Sequence, residues 1–225
     1  MVAVPFSALV TFKVPGTMAR RLIEGLPSAG ERVVGVARQM AEDFRVSVLG
    51  VLLSPSGVPF AYTVGGGESV MVVSRGLVGL LDGDEIETVI AHELAHVKNR
   101  DASLNTIVAV YRRVLFFDPL IRLLERAICR ENEFSADEFA ARETKKPLSL
   151  ASALLKISSA QSGRNASAAN FLGLSILGSG RIPRQPNVKE RIDRLMRLAS
   201  EFERDDLVGD TSGWSAVSRA SPTSP

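Results

Sequence analysis

The 225-residue chain has two histidines, and they stand four residues apart in His92-Glu93-Leu94-Ala95-His96. No other feature constrains the fold as much. On an α-helix, residues i and i+4 lie one above the other on the same face. Both imidazoles can therefore meet one ion if this segment is helical. Glu93 follows the first histidine by about 100° of helical rotation. That offset brings a carboxylate beside the ion without making it a ligand. Ile86, Ile90, Leu94 and Val97 form one apolar stripe and Ala91 and Ala95 lie on another side, so the helix is expected to be buried almost all round. Two buried imidazoles without an ion would need partners for four ring nitrogens, and the Ala, Ile and Leu neighbours on this helix supply none. Asp84 is expected to cap the helix, which should run to about Asn99.

Paired imidazoles of this kind suit Zn2+, which accepts neutral ring nitrogens at about 2.0–2.1 Å. A catalytic zinc takes three protein ligands and keeps a position for water. The third ligand must then be a carboxylate or Cys129, the only cysteine. Glu131-Asn132-Glu133-Phe134-Ser135-Ala136-Asp137 supplies carboxylates. On a helix Glu133 and Asp137 share a face, while Glu131 points elsewhere. One of the pair can bind metal while the other accepts the outer N–H of a ligating histidine and fixes its tautomer. Read alone, the segment also suits a solvated acidic helix start. The chemistry that follows is hydrolysis by zinc-bound water, with Glu93 as general base.

Composition narrows the alternatives. Apolar residues make up 45% and charged residues 23%, as in ordinary globular proteins. A net charge of +2 gives no field that would attract nucleic acid. A lone cysteine forms no internal disulfide, fits a reducing compartment and reads most simply as a small buried apolar residue. The longest charge-free run, Val46 to Gly67, is broken by Pro55, Pro59 and several glycines, so no membrane-spanning helix is expected. No secretory signal is expected either. We expect a cytoplasmic protein, with membrane association as the alternative: Leu104 to Ile128 mixes apolar and basic residues in a way that suits either a core helix or a peripheral membrane contact.

Along the chain, helical character over 17–44 is interrupted near Gly25-Leu26-Pro27-Ser28 and is clearest from Glu31 to Phe44. Strands are expected near 46–52, 60–64 and 70–74, joined by Ser54-Pro55-Ser56-Gly57 and Gly65-Gly66-Gly67 into a small antiparallel sheet. Everything after that reads as helix: about 84–99, a long helix 101–128 with a kink at Pro119, 132–144, one opened by Pro147, and one marked by Val188, Ile192, Leu195, Ala199 and Phe202. Residues 163–180 are rich in small side chains and resist assignment. The fold class is α+β and mainly helical. One domain is expected over 1–204, with a disordered tail over 205–225.

His92-Glu-Leu-Ala-His96 followed by Glu133-Phe-Ser-Ala-Asp137 resembles the gluzincin peptidases that include the HtpX heat-shock protease and the CAAX prenyl endopeptidases. The likeness extends from Val72-Val-Ser-Arg-Gly-Leu to Asn99-Arg-Asp101. Gln185-Pro-Asn-Val-Lys-Glu-Arg191-Ile resembles the family element before the last helix. The resemblance covers about residues 58 to 200. It implies a zincin-type helical core, one Zn2+ per chain, and a metalloendopeptidase acting on peptides or unfolded proteins. It also implies Glu133 as third ligand, Asp137 supporting the site and Arg191 near it. Gln185 stands where the family usually has a histidine that helps bind the substrate carbonyl. Members often carry membrane-spanning hairpins, and the stretch between His96 and Glu133 is too short for two spans.

Both histidines being ligands, oxyanion donors must come from Gln185, Arg191, Tyr111 or Tyr62. An extended substrate is expected to pair with a sheet edge at 59–64 or 69–74. The alternative function is a zinc-binding but weakly active protein serving as a peptide-binding or chaperone module. Peptide deformylases share the histidine motif but use an upstream Gly-Cys ligand, and Cys129 lies downstream in Ile-Cys-Arg. The oligomeric state is not legible.

Overall fold

β-branched and alternating sequence from Val46 to Ser74 is bracketed by helical sequence on both sides, and the chain folds into one small sheet carrying helices. The computed structural model describes residues 25–65, 69–99, 119–162 and 187–217. The elements are α1 (Glu31–Asp43), β1 (Val48–Ser54), β2 (Ala61–Gly65), β3 (Ser69–Ser74), α2 (Arg75–Leu80), α3 (Gly83–Asn99), α4 (Pro119–Thr144), α5 (Pro147–Ser162) and α6 (Val188–Val217).

The sheet is mixed, not antiparallel throughout. Its order is β1-β3-β2. β1 runs parallel to β3 with Val51 opposite Met71, and β2 runs antiparallel to β3 with Thr63 opposite Met71. The expected hairpin at Ser54-Pro55-Ser56-Gly57 does not form because this segment passes across the end of β3 instead. There Ser74 N donates to the Phe60 carbonyl at 3.0 Å, Ser74 Oγ accepts from Phe60 N at 3.0 Å, and Gly76 N donates to the Ser56 carbonyl at 2.9 Å. A Cβ at Gly76 would collide with the Gly57 carbonyl, so only glycine permits this crossing. β2 emerges on the far side of β3. β3 is thus central, with Met71 to Ser74 fully buried, which removes 69–74 as a substrate edge and leaves β2. The outer side of β1 is partly covered by an antiparallel bridge from Ser28 to Leu52.

α3 is the axis of the molecule. It packs on α1 and β2 and, on its other flank, on α4 and α5. Val89, Ile90, Ala91, Leu94 and Ala95 are all buried, as their all-round apolar pattern predicts. Ala91 and Ala95 on α3 and Ala136, Ala140 and Ala141 on α4 are buried with no more than 0% exposure. Such small side chains permit close helix approach.

The helix cap differs from expectation by two residues. Asp82, not Asp84, caps α3: Asp82 Oδ1 accepts from Glu85 N at 2.9 Å, and Glu85 Oε2 accepts from Asp82 N at 2.9 Å. This reciprocal pair is a capping box. Asp84 lies within the first turn and binds Lys146 Nζ at 2.9 Å. The buried Glu85 carboxylate also accepts from Ser152 Oγ and Lys156 Nζ, both at 2.7 Å, which fastens the start of α3 to α5.

α4 is one helix where two were expected. It is described from Pro119 onward, and no break occurs near Glu131. It ends at Lys145, a left-handed residue with φ 55°. The expected helix over 101–118 lies outside the described residues, as do 163–186. α6 continues past Asp205 to Val217, through sequence whose Ser and Gly content predicts a tail. Residues 218–225 lie outside the described residues.

Candidate metal centre

α3 and α4 bring the predicted residues together. His92 Nε2 and His96 Nε2 are 3.1 Å apart, both rings fully buried. Glu133 places Oε2 3.7 Å from the first and Oε1 4.0 Å from the second. One ligand atom from each residue lies within 4.8 Å of the others. Four ligands held about 2.0–2.1 Å from a zinc lie about 3.3 Å from one another. The histidine pair is close to that edge length, and the two carboxylate oxygens, at 3.7 and 4.0 Å, are about 0.4 and 0.7 Å wide of it. The donor set, two imidazoles and a carboxylate, suits zinc among the divalent transition metals. Cys129, four residues before Glu133 on α4, is half-buried and belongs to no such cluster among the described residues.

Behind these groups sits an ionic lattice. Asp137 Oδ1 lies 3.0 Å from His92 Nδ1. That contact assigns the proton to Nδ1 and leaves the Nε2 lone pair facing His96 and Glu133. Arg191 from α6 grips the same carboxylate with both arms, Nε to Oδ2 at 2.6 Å and Nη2 to Oδ1 at 2.5 Å, and reaches Glu133 Oε2 with Nη1 at 2.9 Å. Arg191 is 1% exposed. Three elements thus meet at one buried cation flanked by two carboxylates.

These surroundings set the protonation states. Burial disfavours ionised Asp137, but the Arg191 charge and the His92 and Arg191 hydrogen bonds outweigh it and hold the carboxyl at about 2 against an ordinary 3.8. Burial lowers the His92 pKa, as do the charges of His96 and Arg191, against the pull of Asp137, so the ring stays neutral and able to ligate. Arg191 is buried too, yet the Asp137 and Glu133 charges raise its pKa further. Burial pushes Glu93 up to about 8 from 4.5, the Glu133 charge adds to this, and His96, Arg191 and the Thr63 hydroxyl oppose it. Positive charge held by His92, His96 and Glu133 would favour the ionised form of Glu93.

The structure separates the remaining candidates. Gln185 and Tyr111 lie outside the described residues. Arg191 directs its donors to the Asp137 and Glu133 carboxylates. Tyr62 alternates with the buried Ala61 and Thr63 along β2 and stacks on Phe60 with ring centroids 5.7 Å apart. It therefore faces away from α3. Thr63 was not singled out by the sequence, because a lone threonine in a short strand carries no motif. Its position becomes visible once β2 is seen to pack on α3. Glu85 was likewise hidden, since only the fold shows that a residue from α5 meets it.

The chain is similar to known peptidases. Residues 54–176, more than half of the chain, match the family described as BlaR1 peptidase M56. A Protease HtpX homolog of Pyrococcus abyssi is 34% identical over 196 residues, covering 68% of each chain. One of Thermococcus kodakarensis is 31% identical over 214 residues, covering 74% of this chain and 73% of the relative. Among solved structures, Ste24p of S. mikatae superposes with a TM-score of 0.60 at 16% identity, which establishes likeness of fold. The match covers 83% of this chain, which spans about half, 55%, of the Ste24p chain. With sequence kinship and family match in agreement, the chain belongs to the M56 peptidase family of the HtpX proteases and is a metalloprotease.

Proposed function

We propose that this metalloprotease is a zinc-dependent endopeptidase in which His92, His96 and Glu133 hold one Zn2+ per chain and Glu93 is the general base. The observation that carries this reading is the convergence of three buried ligand atoms within 4.8 Å, with the buried Glu93 carboxylate on the next position of the same helix. Zinc held there would polarise the scissile carbonyl and acidify a water beside it.

The chain's own residues divide the remaining work. Glu93 takes a proton from the attacking water as its oxygen bonds to the carbonyl carbon. It then delivers that proton to the amide nitrogen as the C–N bond breaks, giving a free carboxylate and a free amine. Asp137 keeps the His92 Nδ1 proton in place, which fixes the ring that must ligate through Nε2. Arg191 holds Asp137 and Glu133 in register. β2 offers its outer edge to an extended peptide, and residues there bind main chain without reading sequence. Kinship with proteases favours this reading over a binding or chaperone module.

The substrates are peptides or unfolded proteins, and nucleic acid is not among the partners. We place the protein in the cytoplasm as one domain over 1–204, with peripheral membrane contact as the alternative. No helix among the described residues is long and apolar enough to cross a membrane. Liposome flotation separates the two placements. The enzymatic reading is tested by stripping metal with a chelator and titrating zinc back against hydrolysis of an unfolded protein. Activity should return and level off near one equivalent of zinc. Activity that survives complete removal of metal would refute it.

A further inference from the structure

Among the described residues β2 is an outer strand of the sheet, with β3 as its neighbour. Its hydrogen-bond phase is set at Phe60, where Ser74 N donates to the Phe60 carbonyl at 3.0 Å and Phe60 N donates to Ser74 Oγ at 3.0 Å. Main-chain groups alternate in direction along an antiparallel strand. Phe60 and Tyr62 therefore turn theirs to β3, and Ala61 and Thr63 turn theirs outward. Among the described residues no other main-chain group bonds to that outward row. Side chains alternate between the two faces of the sheet. Ala61 and Thr63 are buried on the face that packs on α3. Phe60 and Tyr62 lie on the other face, half-buried, with ring centroids 5.7 Å apart and planes inclined by 27°. That face carries an apolar row across the sheet, with Leu52 opposite Val72 and Val72 opposite Tyr62. Val72 is 0% exposed yet lies outside the core cluster beneath the first face. The row stops at the outer edge of β2, and neither ring belongs to the metal centre.

We propose that Phe60 and Tyr62 are specificity-determining residues, which read every second side chain of an extended peptide paired with β2. Main-chain bonds to Ala61 and Thr63 hold any sequence alike, so selection falls to the side chains that flank the edge. An added strand continues the apolar row by one residue, whose side chain stands beside Tyr62 at cross-strand distance. The next residue points to the α3 face, and the one after returns to the rings. Two stacked rings offer an apolar plate, which suits aromatic, leucine, isoleucine or valine side chains. A charged side chain there would give up water without gaining a partner. The substrate class is thus unfolded segments with apolar residues at alternate positions, the pattern of a strand that buries one face. Such segments become exposed when a sheet protein unfolds. The inference rests on β2 being the substrate edge, as proposed above.

The test uses the full chain loaded with zinc. Cleavage sites in a reduced, unfolded protein are mapped by mass spectrometry, and the site cut fastest is made as a synthetic peptide. Leucine or serine is then placed at each flanking position in turn. The ratio of kcat/KM for the two peptides is measured with wild type, Tyr62→Thr, Phe60→Ser and Tyr62→Phe. Threonine suits a strand, so Tyr62→Thr removes the ring and keeps β2 formed. Wild type should favour leucine about fivefold at one alternate set of positions, the scale of an aromatic cross-strand contact. Tyr62→Thr and Phe60→Ser should bring that ratio within about twofold of unity and leave the intervening positions as in wild type. Tyr62→Phe should keep the discrimination, because the ring and not the hydroxyl reads the side chain. Each value compares two peptides on one protein, so a general loss of activity cancels. Zinc-dependent cleavage with no alternation in wild type, or with the same ratios in both ring-deleting variants, would overturn the inference and leave the endopeptidase reading standing. No zinc-dependent cleavage by wild type would sink that reading, and this inference with it.

Discussion

Replacing Arg191 with glutamine removes a cation that Glu133 and Asp137 share. The guanidinium makes two contacts to Asp137, at 2.6 and 2.5 Å, and one to Glu133 at 2.9 Å, and it is 1% exposed. Glutamine can donate from one amide only, so two carboxylates on one face of α4 would be left buried and repelling each other. Deleting one partner of a buried ion pair costs about 3–5 kcal/mol. Folded domains are stable by about 5–15 kcal/mol in total. We therefore expect Arg191→Gln to lose about 4 kcal/mol in urea melts of metal-free protein, equivalent to a fall in Tm of roughly 10 °C for a domain of this size. Arg191→Lys keeps the charge but lacks the planar fork that grips Asp137, and should lose about half as much. Excess zinc should recover part of the loss in Arg191→Gln, because a cation bound at Glu133 replaces some of the missing charge and binds only the folded state. An Arg191→Gln protein that melts within about 1 kcal/mol of wild type without metal would show that the lattice contributes little.

Three further outcomes follow from individual contacts. Ser74 Oγ accepts from both Leu77 N and Phe60 N at 3.0 Å in a fully buried position, so Ser74→Ala should lose about 1–3 kcal/mol in denaturant melts; a change below about 0.5 kcal/mol would mean that both N–H groups find other partners. Asp137 titrates at about 2 in the fold against an ordinary 3.8, so its contribution is complete above the ordinary value and is lost as pH falls towards about 2. In chelator-treated protein that contribution is about 2 kcal/mol, and Asp137→Asn should flatten the acid limb of stability against pH; an unchanged limb would count against the Arg191 pairing. Lys145 ends α4 with φ 55°, a conformation that strains a residue with a Cβ, so Lys145→Gly should raise stability by up to about 1 kcal/mol in thermal melts, and a clear loss would contradict the strain.

The histidine motif and its helix were legible because spacing and apolar periodicity point the same way: α3 is helical through the described residues to Asn99, and its inward residues are buried. Glu133 and Asp137 were readable as a face-sharing pair, but which oxygen meets which nitrogen depends on α4 lying close to α3, and that depends on alanines whose role no motif announces. The sheet was misread at one point. Ser54-Pro55-Ser56-Gly57 has turn chemistry that fits a hairpin, yet tertiary hydrogen bonds from Ser74 and Gly76 carry the chain across β3 and make the β1 pairing parallel. The capping of α3 was misplaced because Asp82 and Asp84 are equivalent in composition, and only the reciprocal bond with Glu85 distinguishes them. Arg191 was found through resemblance alone; nothing local marks a basic residue in an amphipathic helix as buried.

The most direct test of the account combines zinc quantification with hydrolysis of an unfolded protein by wild type and Glu93→Gln. In the proposed site Glu93 stands beside the ligands without being one, so removing its charge should leave metal binding intact. The account predicts about one zinc per chain in both proteins and cleavage by wild type only. Zinc bound by neither protein, or equal cleavage by both, would contradict it.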